Sequence, residues 1–142
     1  MYKKIMIPLD NSSTDQTILE HIRPLVKLTG AAVVLVHVAD GFGARLQNEL
    51  NLADSEEIKK DQQYLEKICK KFSQEGFQVK AVLLQGKEPA DAILDAANKE
   101  HCDLIAMATH GHGFVKDVIL GSVADALRHS TDIPILMIRS SK

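Results

Sequence analysis

Apolar and polar positions along this chain alternate between two periods. Short apolar runs recur at Ile5–Leu9, Ala32–Val38, Val79–Leu84, Leu104–Ala108 and Ile133–Ile138. Each has strand length, and the β-branched run at 32–38 suits a central strand covered on both faces. Between these runs the apolar residues fall at helical spacing: Ile18, Ile22, Leu25, Val26 and Leu28, then Ile58, Leu65, Ile68, Cys69 and Phe72, then Ile93, Leu94 and Ala97. The punctuation agrees. Asn11-Ser12-Ser13-Thr14 supplies N-cap chemistry for the first helix, and Gly30 stops it. The second runs from about Leu52 to Glu75 and closes at Gly76. Gly86 turns the chain, Pro89 sits in the first turn of the third helix, and a last helix is predicted over Ser122–His129. Pro24, inside the first helical pattern, is expected to kink or break it. Asp40 to Leu50 is polar, contains two glycines and reads as a mobile connection.

Strands alternating with helices predict an α/β fold. The expected architecture is a doubly wound, five-stranded parallel sheet of order 3-2-1-4-5 with helices on both faces, in one domain spanning residues 1–142. Ligands of such sheets sit outside the carboxyl ends of the strands, where the strand order reverses. Here that point lies between the first and fourth strands, so the loops that meet there follow Leu9 and Ala108.

The second of these loops carries the chemistry. Met107-Ala108-Thr109-His110-Gly111-His112-Gly113 is followed, after nine residues from Gly111, by Gly121-Ser122 at the predicted helix start. Glycines let a backbone approach an anion closely, and the N–H groups of a helix start supply donors and partial positive charge. Gly111, Gly113, Gly121, Ser122 and the Val123 N–H therefore read as a phosphate cradle; the plainer alternative is glycines needed only for turns. Ser122 at a helix start is an N-cap under either reading. Asp10, at the neighbouring strand end, can accept hydrogen bonds from both hydroxyls of a ribose, or can cap the first helix. Together the two loops suggest a nucleotide site.

Other polar residues add less. Lys116 is near enough in sequence to reach a terminal phosphate, and reads equally well as a solvated lysine. His110 and His112 supply at most two metal ligands with no third nearby, so they read as polar lining of the loop. A magnesium ion held mainly by phosphates is compatible with that lining. His37, inside a strand, reads as a partnered buried histidine.

Composition narrows the class. The chain has 142 residues, 45% hydrophobic and 25% charged, with a formal net charge of -2. That balance is ordinary for a globular protein, and gives no electrostatic reason to expect nucleic acid or an anionic membrane as partner. No apolar run approaches a bilayer span, and Met1-Tyr2-Lys3-Lys4 enters a strand directly, without a signal peptide. Cys69 and Cys102 lack CxxC spacing and read as reduced thiols, so a cytoplasmic location is expected. The final strand, apolar on both faces, would lie at a sheet edge, where pairing across a two-fold axis gives an antiparallel homodimer through Ile133–Ile138.

These residues resemble the universal stress protein family over the whole chain. Ile5-Met6-Ile7-Pro8-Leu9-Asp10-Asn11-Ser12 looks like that family's opening strand and aspartate, and Leu35-Val36-His37-Val38 its second strand. Gly111, nine residues, then Gly121-Ser122 is similar to the latter part of its nucleotide motif, G-x2-G-x9-G-S/T. Ser122-Val123 leading to Arg128-His129, and Ile133-Pro134-Ile135-Leu136-Met137-Ile138-Arg139, look like its closing helix and strand. One position departs: the motif's first glycine falls on Ala108. The resemblance implies an ATP (or AMP/ADP) site formed by Pro8, Leu9, Asp10, Val38, Ala108, Thr109, His110, Gly111, His112, Gly113, Gly121, Ser122 and Val123. In that site Val38 offers its backbone to adenine. It also implies the C-terminal-strand homodimer.

The leading expectation is an ATP-binding regulatory protein of the stress response, with at most slow hydrolysis. The chain shows no Walker lysine after a first-strand glycine loop, no acidic metal pair and no placed general base. The alternative is a dimeric interaction module that binds no nucleotide, which Ala108 encourages. A phosphoacceptor receiver needs an aspartate ending the third strand, where this chain has Gln85. A flavodoxin-like protein needs a glycine in the Asn11–Asp15 loop and a supply of aromatics that 4% does not give.

Overall fold

The five apolar runs pair into one sheet. The computed structural model describes residues 1–39, 52–86, 88–109 and 118–140. Strands β1 (Lys4–Pro8), β2 (Ala32–Val38), β3 (Val79–Leu84), β4 (Leu104–Thr109) and β5 (Ile135–Arg139) are ordered β3-β2-β1-β4-β5, and every pair is parallel. The connecting helices are α1 (Thr14–Thr29), α2 (Leu52–Gln74), α3 (Pro89–Lys99) and α4 (Val118–Ser130). The expected class and strand order are those observed. The 40–50 connection lies outside the described residues.

Side-chain alternation divides the core into two layers. Ile5, Ile7, Val33, Leu35, Leu104, Ala106 and Ala108 pack with Ile18 and Ile22 of α1 and Leu65 and Phe72 of α2. Met6, Val34, Val36, Ile105 and Met107 point the other way, onto Ile93 and Ala97 of α3 and Val123, Ala124 and Leu127 of α4. The residues Val33 to Val36 of β2 are all buried, as a central strand with both faces covered requires. Phe72 is fully buried, and Arg23 of α1 lies over its ring, 4.5 Å from the centroid, while pairing with Glu75 at 3.2 Å. That contact ties the middle of α1 to the end of α2.

Five elements differ in detail from the expectations above. Helix α1 runs unbroken through Pro24. The missing N–H costs the Glu20 carbonyl its helical partner. Pro24, Glu20 and His21 are all exposed, so that group faces water. Helix α4 begins at Val118, four residues before the expected start. Val118-Ile119-Leu120 can continue a helix, and a glycine within one costs only about 1 kcal/mol, so Gly121 does not mark the beginning. Strand β5 is Ile135–Arg139 rather than Ile133–Ile138; Pro134 has no N–H for the ladder, although its carbonyl accepts the Ile105 N–H at 3.0 Å. Strand β1 ends at Pro8, one residue early, and β4 extends one residue to Thr109. Gly30 (φ 70°) and Gly76 (φ 93°), expected to end their helices, do so in the left-handed conformation.

At the amino end of the sheet, Asp103 clips β1 to β4. Its carboxylate accepts the Lys3 N–H at 2.8 Å and the Lys4 N–H at 3.0 Å, and its own N–H donates to the Lys4 carbonyl at 2.9 Å. Pairing of β1 with β4 then runs through Ile5–Leu104 and Met6–Ile105. Both strands continue past that register, to Pro8 and Thr109. The two central strands are thus fastened at one end and lead into separate loops at the other.

Candidate functional site

The carboxyl ends of β2, β1 and β4 bring Val38, Pro8-Leu9-Asp10 and Ala108-Thr109 to one edge of the sheet. β1 and β2 pair through Pro8–Val36, and one more bond follows, from the Leu9 N–H to the Val36 carbonyl at 2.8 Å. Past this point the chain leaves the sheet. Successive residues of a strand direct their backbone groups to opposite sides, and the Ala39 N–H donates to Leu84 of β3. Val38 therefore directs its N–H and carbonyl to the β1 side, where β1 has already turned into its loop.

That loop is tightly organised. Asp10, half-buried, accepts the Ser12 N–H at 3.1 Å and the Ser12 hydroxyl at 2.5 Å on Oδ1. The Ser12 hydroxyl also lies 2.7 Å from Thr14 Oγ1 and 3.3 Å from the Thr14 N–H, which donates to it. Cap chemistry for α1 thus comes from Ser12; Ser13, at the cap position, makes no side-chain cap bond. Asn11 adopts φ 61°, the left-handed region that asparagine tolerates better than most residues.

Asp15, in the first turn of α1, holds this loop from beneath, and sequence reasoning missed it. Its side chain is buried at 2% exposure. Oδ1 accepts the Asp10 N–H at 3.1 Å, and Oδ2 accepts the Asn11 N–H at 2.9 Å and the Tyr64 hydroxyl at 2.5 Å. Burial pushes the Asp15 carboxyl up to about 6; the Tyr64 hydrogen bond opposes that shift and the neighbouring Asp10 charge adds to it. Burial also pushes the Tyr64 hydroxyl up, reinforced by its bond to Asp15. One turn earlier on α2, Asp61 lies 3.3 Å from His37 Nε2 and accepts a 3.5 Å bond from the Asn11 side-chain amide. His37 Nδ1 lies 2.8 Å from the Leu9 carbonyl. A carbonyl only accepts, so the ring proton belongs on Nδ1. His37 is the partnered histidine that its strand position suggested.

Ala108 is 3% exposed, and its methyl group lies in the layer beneath α1 and α2. The carbonyl of Thr109 accepts the Ser140 N–H at 2.7 Å, and Thr109 pairs with Arg139. His110, Gly111, His112, Gly113 and Lys116 lie outside the described residues. Because α4 starts at Val118, the N–H groups of Val118, Ile119 and Leu120 lie ahead of the helical ladder, and that of Gly121 is the first within it. Ser122 and Val123 follow Gly121, so their N–H groups also fall in the helical ladder and Ser122 is not an N-cap. The Val123 side chain is buried against α3. Among the described residues no group of three or more His, Cys, Asp or Glu is placed to hold a metal ion, and no helix is long and apolar enough to cross a membrane. Cys69 and Cys102 are free thiols, and burial pushes Cys102 up to about 11.

The sequence profile of the universal stress protein family matches residues 1–139. The chain belongs to that family. Relatives include the universal stress protein MJ0577 of Methanocaldococcus jannaschii, 30% identical over 159 residues that cover 98% of this chain and 96% of the relative. A second protein of that organism, MJ0531, is 32% identical over 148 residues, 100% of this chain and 85% of the relative. The solved structure of MJ0577 matches with a TM-score of 0.85 at 30% identity, covering 100% of this chain and 99% of that one. Two more distant members share the fold. A universal stress protein from Archaeoglobus fulgidus in complex with dAMP has a TM-score of 0.69 at 21% identity, covering 96% and 98% of the two chains. A universal stress protein in complex with cAMP has 0.68 at 16%, covering 99% and 98%.

Proposed function

We propose that this universal stress protein binds an adenine nucleotide, ATP or its AMP and ADP relatives, at the carboxyl ends of β1, β2 and β4. The observation that carries the reading is the placement there of the Asp10 carboxylate beside a Val38 backbone directed away from the β3 ladder. Asp10 is an acceptor suited to ribose hydroxyls. Val38 presents a donor and an acceptor to the β1 side, as recognition of adenine through the main chain requires. The N–H groups of the first turn of α4, Val118 to Leu120, would offer a phosphate the donors and dipole of a helix end. That family members hold dAMP and cAMP supports the same class of ligand.

Ala108 does not stand against this reading. Its methyl group is committed to the core layer, so replacing the motif's glycine adds no atom on the crevice side. His110, Gly111, His112 and Gly113 complete the phosphate loop in this proposal. Magnesium prefers phosphate oxygens and water, so the site needs no cage of protein ligands. With no base assigned to activate water, the protein is a holder of nucleotide and at most a slow ATPase, serving a regulatory role in the cytoplasmic stress response. The edge strand β5 pairs with a second copy in the proposed homodimer.

Titration calorimetry with ATP and magnesium tests the reading, backed by mass spectrometry of nucleotide retained on purified protein. Binding in the micromolar range is expected, reduced at least tenfold by Asp10→Ala. Absence of binding at millimolar ATP would leave the family's fold as an interaction module instead.

A further inference from the structure

We propose that Asp15 and Tyr64 are positioning residues for the Asp10 carboxylate: Tyr64, reaching across from α2, holds Asp15 beneath the loop, and Asp15 fixes how Asp10 meets a ribose. The inference rests on the adenine-nucleotide reading and names the residues that shape its ribose end.

The geometry requires an explanation beyond helix capping. Asp15 gathers three donors, two of them consecutive backbone N–H groups on either side of the Asp10 carbonyl carbon. An acid near a helix start is favourable, but an exposed one would serve that purpose at lower cost. Here the carboxylate is buried and has a second carboxylate beside it, and both burial and that neighbouring charge oppose ionisation of Asp15. What the arrangement achieves is a fixed loop. Once the Asp10 and Asn11 amides are pinned and Asn11 is set at φ 61°, the direction of the Asp10 side chain follows from its own backbone and from Ser12.

Helix α2 controls the other end of the device. Tyr64 packs its ring against the core layer of α1 and α2 and carries its hydroxyl to Asp15 Oδ2. Asp61, three residues before it and hence on the same helix face, ties the Asn11 side chain and His37 into the network. The titratable groups facing Asp15 are thus Asp10 from its own loop and Tyr64 from α2, with Asp61 and His37 next to them.

The test compares ATP with 2′,3′-dideoxy-ATP, each with magnesium, in the wild type, Tyr64→Phe, Asp15→Asn and Asp10→Ala. The dideoxy compound lacks the hydroxyls that Asp10 would meet. The wild type should prefer ATP by about tenfold, the value of one charge-assisted hydrogen bond. Tyr64→Phe and Asp15→Asn should reduce that preference several-fold while leaving dideoxy-ATP affinity unchanged. Adding Tyr64→Phe to Asp10→Ala should then change ATP affinity no further. If either single variant weakens both nucleotides equally, or only lowers the melting temperature with the preference intact, the positioning role is wrong while nucleotide binding stands. If the wild type binds neither nucleotide, the underlying reading fails and takes the role with it. Should Tyr64→Phe not fold, Asp15→Asn, which keeps the shape of the side chain, carries the same comparison.

Discussion

The imidazole of His37 occupies the Leu9 carbonyl, Nδ1 to oxygen 2.8 Å. In a β1–β2 ladder continued by one more step, that carbonyl would accept the N–H of Val38. The side chain of one strand thereby ends the backbone pairing of its neighbour, and the Val38 backbone is turned to the crevice. Replacing His37 by phenylalanine keeps the ring and removes both of its polar ties, to Leu9 and to Asp61. A loss of about 1–3 kcal/mol is expected in urea unfolding at constant m-value. A change within experimental error would show that water replaces the imidazole at no cost.

The pH dependence of stability should carry the signature of Asp15. Its carboxyl binds a proton more tightly in the folded protein (about 6) than at its ordinary value of 3.8. Such a group contributes stability that is present in full below the lower value and is lost as pH rises through the upper one. The wild type should therefore gain on Asp15→Asn as the pH falls from about 7 to about 4, by at most about 3 kcal/mol. Parallel stability curves for the two proteins would contradict the burial of this charge.

Gly121→Val separates folding from binding. Gly121 is the fourth residue of α4, and valine has the higher helix propensity, so folding should not suffer from the backbone change. The added side chain would occupy the space next to the helix start. Thermal melting is expected to hold within a few degrees while ATP titration heats vanish. Normal binding by this variant would move the phosphate site elsewhere.

The proposed dimer can be addressed through the backbone of β5. Pro134 and Ser140 direct their backbone groups to β4, so by alternation those of Ile135, Met137 and Arg139 face outward. Met137 is 45% exposed, and β4 is the strand that pairs with β5. Met137→Pro removes an outward donor and no bond to β4, which an edge strand tolerates. Sedimentation velocity should show a dimer for the wild type and a folded monomer for the variant. An unchanged dimer would place the interface on another surface.

Much of this fold was legible because each strand is a contiguous apolar run and each helix has its own stop. Val33 to Val36 announced a central strand, and Gly30 and Gly76 ended helices where they stand. Gly121-Ser122 misled because a glycine beside a hydroxyl residue looks like a helix start, while the apolar residues before it were able to extend the helix. Pro24 misled because a proline's cost depends on whether its orphaned carbonyl meets water, which the sequence does not state. Asp10 was found by its place at a strand end. Asp15 escaped notice because a first-turn acid looks like any helix-start charge, and its partner Tyr64 lies 49 residues away. The available signal was the i, i+3 spacing of Asp61 and Tyr64 beside the apolar stripe of Leu65 and Ile68.

The Asp103 clip has a practical corollary for measuring any of this. It fastens the backbone of Lys3 and Lys4 to β4 at the end of the sheet remote from Asp10, and Met1 beyond it is 94% exposed. Strand β1, five residues long, separates the two ends by about 16 Å. A dye or surface tether attached at Met1 would pull against a hydrogen-bonded anchor rather than against the loop, and would leave the Asp10 crevice facing the solution.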